Sequence, residues 1–204
     1  MDGERVYFDH GGQAGGAQTP SELAARNFYE LRQLRVALDV HSIDAERVVE
    51  VGCGYGRLTP WLAEFTGAST AIGVDHDERS IELARTQYPS QRFDWRQGGA
   101  ENIVEHVPEN SVDVALTWTV LQHLSPSLME RTAGGIGRIL SDGGWLIMAE
   151  ETAEDEADHV WGRAPSEYEK YFSDLELVAT EDRQLEPTFG EYSEGGKIML
   201  LKKR

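Results

Sequence analysis

The chain has 204 residues and a single cysteine, Cys53, a length for one domain with a full core and no disulfide framework or cysteine zinc site. Thirty-six acidic residues against nineteen basic ones give a formal net charge of −17, a surface that repels phosphate backbones and argues against a nucleic-acid partner. No apolar run approaches the ~18 residues that cross a bilayer, and the text from Met1 to Arg5 lacks the basic-then-apolar plan of a signal peptide, so the expectation is a cytoplasmic protein with a small-molecule partner. Only Lys170, Lys197, Lys202 and Lys203 are lysines; the other basic residues are arginines. Such an acid-rich, lysine-poor surface reads either as adaptation to high salt, where screening removes self-repulsion, or as ordinary solubility.

Residues 1–20, punctuated by Gly11, Gly12, Gly15, Gly16 and Pro20, read as a flexible arm. Helical spacing of Leu23, Phe28, Leu31, Leu34 and Leu38 predicts a helix from Ser21, its expected N-cap, to Leu38. Residues 1–45 are therefore taken as an arm and helix over the substrate region, and 46–204 as the main domain. From Arg47 strands and helices alternate. Strands are predicted at 48–51, 71–74, 92–96, 112–118 and 145–149, with helices at 57–65, 78–86 and 126–140 between them. The capping-box spacing of Ser166 and Glu169 predicts a further helix. Strands at 175–180 and 197–201, joined by the loop 187–196, form the last hairpin. This order implies a doubly wound α/β sheet of seven strands, mostly parallel, with an antiparallel strand at its end.

In such sheets ligands sit beyond the carboxyl ends of the strands, where strand order reverses. The first strand runs into Glu50, Gly52, Cys53, Gly54 and Gly56. Gly52 and Gly54 let the chain turn tightly and bring backbone close to a ligand, and Gly56 permits close approach at the next helix. The second strand ends at Asp75, a carboxylate placed to accept both hydroxyls of a ribose. The spacing departs from a dinucleotide loop, since position 57 is Arg rather than Gly. Glu50 adds a negative charge, suited to a ligand with an amino-acid ammonium beside a sulfonium.

The stretch from Val48 to Thr59 resembles motif I of the class I S-adenosylmethionine-dependent methyltransferases. Gly73-Val-Asp75 resembles their second motif, Ser111 to Leu124 the fourth, and Arg138 to Ile147 the approach to the fifth strand. The resemblance covers about residues 45–150 and implies a Rossmann-like fold with S-adenosylmethionine as cofactor. By that resemblance Glu50, Gly52 and Gly54 line the methionine part, Arg57 reaches its carboxylate, Asp75 binds the ribose and His76 flanks the adenine. Cys53 and Gly56 belong to the same loop. The family's usual acid after the third strand is Gly99 here, so the adenine contact falls to Glu101 or to backbone near Ala100. Thr117 ends the fourth strand, where a carbonyl meets the cofactor's ammonium.

His123, after the fourth strand, reads two ways: a general base for an acceptor hydroxyl or amine, or a turn histidine bonded to backbone. Glu150 and Glu151 end the fifth strand and are expected to face the pocket region. Tyr7, Phe8, Tyr29, Trp118, Trp161 and Tyr171 are candidates for an aromatic lid or for ordinary packing. Thr117-Trp-Thr-Val120 is not the Asp/Asn-Pro-Pro-aromatic motif of enzymes that methylate planar amino groups. No Pro-Cys pair serves cytosine C5 chemistry, and no set of metal-ligating acids stands at the strand ends. The reading is methyl transfer to a small molecule. The alternatives are an aminopropyltransferase on the same fold and a non-catalytic cofactor-binding subunit that supports a partner.

Overall fold

Period-two alternation within the strands feeds two separate apolar layers, one on each face of a sheet. In a computed structural model, which describes residues 20–152, 160–183 and 196–204, the sheet consists of β1 (Arg47–Val51), β2 (Thr70–Asp75), β3 (Phe93–Gln97), β4 (Val112–Trp118), β5 (Leu140–Glu151), β6 (Leu175–Asp182) and β7 (Gly196–Lys203). The helices are α1 (Pro20–Val40), α2 (Thr59–Thr66), α3 (Glu78–Gln87), α4 (Ile103–His106), α5 (Pro126–Ile139) and α6 (Pro165–Tyr171).

The strand order is β3-β2-β1-β4-β5-β7-β6. The first five strands are parallel to their neighbours, and β7 runs antiparallel to both β5 and β6. This is the expected seven-stranded doubly wound sheet with its terminal hairpin. Order reverses between β1 and β4, which places the switch point above the glycine loop. Val49, Val51, Leu146, Met148, Met199 and Leu201 pack on one face with residues of α5 and α6. Their alternates Val48, Ile147, Ala149, Ile198 and Leu200 pack on the other with Leu34, Ala37 and Leu38 of α1 and Leu62 of α2. The C-terminal half of α1 is thus part of the core. No helix among the described residues is long and apolar enough to cross a membrane.

Several boundaries differ from the sequence reading for local reasons. α1 opens at Pro20, so Ser21 lies inside the helix rather than capping it. α2 starts at Thr59, two residues later than expected, because the glycine loop extends through Arg57. β5 begins at Leu140 instead of Trp145, since Asp142-Gly143-Gly144 forms an irregularity within the strand, with Gly143 at φ 75°. α6 opens at Pro165, and Glu167 reaches back to accept from the Ala164 N–H at 2.9 Å, which replaces the expected Ser166 cap. α4 and the two 3-10 turns, Ala100–Asn102 and Leu121–His123, were not foreseen. The arm before Pro20 and the loop 187–195 lie outside the described residues.

Candidate active site

The glycine loop is shaped by backbone conformations that side chains resist. Gly52, Gly54 and Gly56 all have positive φ. A Cβ at Gly52 would lie 2.3 Å from Val120 Cγ2, so the loop and the segment after β4 touch only because Gly52 has no side chain. At Gly56 and Gly73 the obstacle would be the Trp95 ring, at 2.6 and 2.4 Å. That ring, from β3, lies against both glycines and in one apolar cluster with Cys53, Ile81 and Ala84. The close approach expected at Gly56 is therefore to an indole of the protein. At Gly54 a Cβ would meet nothing within 4 Å, which leaves the tip of the loop open.

Asp75 ties this loop to the next helix. Its Oδ2 accepts from the Gly54 N–H at 2.8 Å and its Oδ1 from the Asp77 N–H at 2.9 Å. Asp77 caps α3 through the Ser80 N–H and hydroxyl, so Asp75 is not needed as that cap. A carboxylate offers about four acceptor directions, and Asp75 retains capacity for a ligand's hydroxyls. His76 Nδ1 lies 3.4 Å from Asp75 Oδ1. The Gly98 N–H donates to the Asp75 carbonyl at 2.8 Å, which brings Gly99, Ala100 and Glu101 to the same edge of the sheet. Gly99 precedes the 3-10 turn with an ordinary φ of −79°.

Beneath the loop, Glu50 is 3 % exposed and its carboxyl bonds the Thr59 hydroxyl. Burial pushes its pKa up to about 8 despite that bond and the Arg57 charge. A buried acid with one neutral partner fits a cationic group delivered by a ligand. Burial likewise raises the Cys53 thiol well above its ordinary range, reinforced by Glu50 and Asp75. That thiol is buried packing inside the loop.

Arg57 is engaged within the protein. Its Nη1 lies 2.5 Å from Glu30 Oε2 and 3.1 Å from Asn27 Oδ1. Glu30, fully buried on α1, also accepts from Arg183 Nη2 at 2.9 Å. The Arg183 guanidinium in turn stacks 5.7 Å over the Trp118 ring. One buried carboxylate thus joins the glycine loop, α1 and the end of β6. Sequence offers no signal for it, because the partners stand 27 and 153 positions away with no motif in common.

Thr117 pairs with Val51 across β4 and β1, and its hydroxyl donates to Glu150 Oε1 at 2.9 Å. Glu150 does not face a pocket; it is fully buried under the segment after β4. His123, 8 % exposed, closes the 3-10 turn, with its Nε2 3.3 Å from Gln122 Nε2. Trp118 lies in the core, Tyr171 packs under Arg163 at 5.7 Å and Tyr29 meets Phe28 edge-on. Tyr7 and Phe8 are outside the described residues.

Residues 48–144 match the family described as a methyltransferase domain. Over that stretch, a little under half of the chain, the sequence is similar to class I S-adenosylmethionine-dependent methyltransferases. S-adenosylmethionine is the cofactor of that family, and the open Gly54 tip, the buried Glu50 and the unfilled acceptor capacity of Asp75 fit such a group. Among curated proteins, the chain is 27 % identical to the ribosomal protein L11 methyltransferase of Sorangium cellulosum over 88 % of this chain and 51 % of the relative. It is 28 % identical to a trans-aconitate 2-methyltransferase of Rhodopseudomonas palustris over 72 % of this chain and 54 % of the relative. The chain spans about half the length, or less, of the curated relatives it matches. In fold it resembles the N-methyltransferase NodS of Bradyrhizobium japonicum, solved with S-adenosyl-L-homocysteine, with a TM-score of 0.69, 18 % identity and 85 % of each chain covered.

Proposed function

We propose that the protein is an S-adenosylmethionine-dependent methyltransferase acting on a small molecule. The observation that carries this reading is the Asp75 carboxylate, which accepts from the Gly54 N–H at the open tip of the glycine loop and retains further acceptor capacity. The strongly acidic composition supports a small acceptor over a nucleic acid. S-adenosylmethionine supplies a methyl group already activated on a sulfonium. The chain's own residues have three tasks: bind, position and exclude water. Asp75 accepts the ribose hydroxyls while holding Gly54 and Asp77. The glycine loop with Glu50 and Thr117 lines the methionine part, and His76, Ala100 and Glu101 border the base. His123 takes a proton from an acceptor O–H or N–H.

Calorimetry with S-adenosylhomocysteine tests the site, and a panel of small hydroxyl, amine, thiol and carboxylate compounds, assayed with methyl-labelled S-adenosylmethionine, tests the reaction. Binding without transfer to any compound would favour the non-catalytic subunit. Arg57, paired with Glu30, gives no argument of its own against the aminopropyl reading; a methyl-labelled panel product would. Asp75→Ala is expected to weaken S-adenosylhomocysteine by about 1.5–3 kcal/mol, through the loss of charged acceptors. Unchanged affinity would remove the ribose assignment.

Glu50 adds a pH signature. With its pKa near 8, the acid is mostly protonated at pH 7, and a ligand ammonium favours the ionised form. Binding is then expected to release a proton and to tighten as pH rises toward 8. Calorimetry at pH 7 in buffers of different ionisation enthalpy measures that release, and Glu50→Gln should abolish it. The same shift acts on folding. Between the ordinary carboxylate range and pH 8 the unfolded chain ionises Glu50 while the folded one does not, so this group's contribution to stability falls as pH rises through that window.

A further inference from the structure

The segment between β4 and α5 is gripped by two buried side chains, one an acceptor and one a donor. Glu150 takes its N–H groups: Val120 donates at 3.0 Å and Gln122 at 3.2 Å, beside the Thr117 hydroxyl. Arg163, 6 % exposed, takes its carbonyls: Nη1 donates to Leu121 at 3.0 Å and Nη2 to Leu124 at 2.5 Å. Two further bonds close the frame. The Trp161 N–H donates to the Gln122 carbonyl at 2.7 Å, and the Gln122 side chain accepts from the Glu151 N–H at 2.8 Å. The Arg163 guanidinium lies over the Tyr168 and Tyr171 rings at 6.0 and 5.7 Å. Nearly every backbone group of one short turn is thus assigned to a buried partner.

The turn so held is an uncommon one. Thr119, a β-branched residue, sits at φ 57°, a conformation that persists only where surroundings over-determine it. At one end Val120 presses on Gly52 of the cofactor loop; at the other stands His123. A mere connector needs neither strain nor two buried polar anchors.

We infer that Glu150 and Arg163 are positioning residues, which fix the turn 119–124, and through it Val120 and His123, on the acceptor side of the site. The inference rests on the methyltransferase reading above. It also gives a physical link between residues 160–164, which follow β5, and the turn. A displacement of that turn by about 1 Å would cost on the order of 100-fold in transfer rate, a larger loss than in cofactor affinity, since the turn meets the cofactor loop only at Gly52 among the contacts described.

Four variants of the full chain separate positioning from bulk stability. Glu150→Leu removes both acceptor oxygens, whereas Glu150→Gln keeps one and is the conservative rescue. Arg163→Met removes the donors, and Arg163→Lys keeps the charge but not the fork that spans two carbonyls. Each is titrated with S-adenosylhomocysteine by calorimetry. Each is also recorded by NMR for the His123 imidazole and the Val120 and Gln122 amides, His123 being assigned by its loss in His123→Gln. Expected are cofactor-product affinities that fall far less than transfer does, displaced or broadened His123 and turn signals in Glu150→Leu and Arg163→Met, and recovery toward the parent in Glu150→Gln. Labelled-methyl transfer to the panel compound that reacts should fall about 100-fold in the two disruptive variants. Unmoved His123 signals in both disruptive variants, or a loss of S-adenosylhomocysteine affinity equal to the loss of transfer, would overturn the inference. Where Glu150→Leu does not fold, Arg163→Lys carries the same comparison. A parent that fails to bind S-adenosylhomocysteine would overturn the methyltransferase reading instead, and the NMR comparison would still decide the clamp.

Discussion

Glu30→Ala is expected to lower folding stability by about 3–5 kcal/mol, the cost of breaking a buried ion pair by removing one partner. Glu30 is fully buried between Arg57 and Arg183, whose side chains are 18 % and 7 % exposed. Without it two guanidinium groups are left close together in a buried region without the carboxylate that joins them. For a chain of this size the loss corresponds to roughly 6–20 °C in melting temperature. Chemical denaturation of parent and variant measures it directly. Glu30→Gln keeps hydrogen-bonding capacity and should fall between the two. A loss below about 1 kcal/mol would mean that water reaches the arginines and that the triad is effectively a surface pair.

The second large effect is on turnover. If His123 is the base, His123→Gln should reduce methyl transfer by roughly 100- to 10,000-fold, with little change in S-adenosylhomocysteine affinity. Gln is the informative replacement, since it preserves a hydrogen bond to the Gln122 side chain while removing the imidazole. A variant with parental turnover and a lower melting temperature would assign His123 to the turn alone. Catalysis would then rest on positioning and water exclusion.

How far the sequence could be read depended on the range of the interaction. β4 came out at 112–118 in both readings, because its alternate residues serve the two apolar layers and the period is local. The glycine loop and Asp75 were legible for the same reason: spacing within one strand–turn–helix unit dictates their placement. The limits of β5 were not. A Gly-Gly pair that reads as a turn is absorbed into the strand as an irregularity, a choice made by pairing with β4. Glu150 was expected at the pocket, and the turn donors that draw it inward lie about thirty residues upstream. Arg163 and Glu30 escaped entirely, since a buried charge is recognised only once its partners are known, and those come from distant parts of the chain.

Cys53 gives the molecule an internal clock. It is the only cysteine in the sequence, sits at 4 % exposure inside the glycine loop, and its burial keeps the thiol protonated. A thiol-specific reagent therefore finds nothing to attack while the loop is closed. Labelling has to wait for an excursion in which the loop lifts off Trp95. Its rate would report how often that excursion happens, and slowing by a bound nucleoside would convert loop opening into a quantity read from a single sulfur atom.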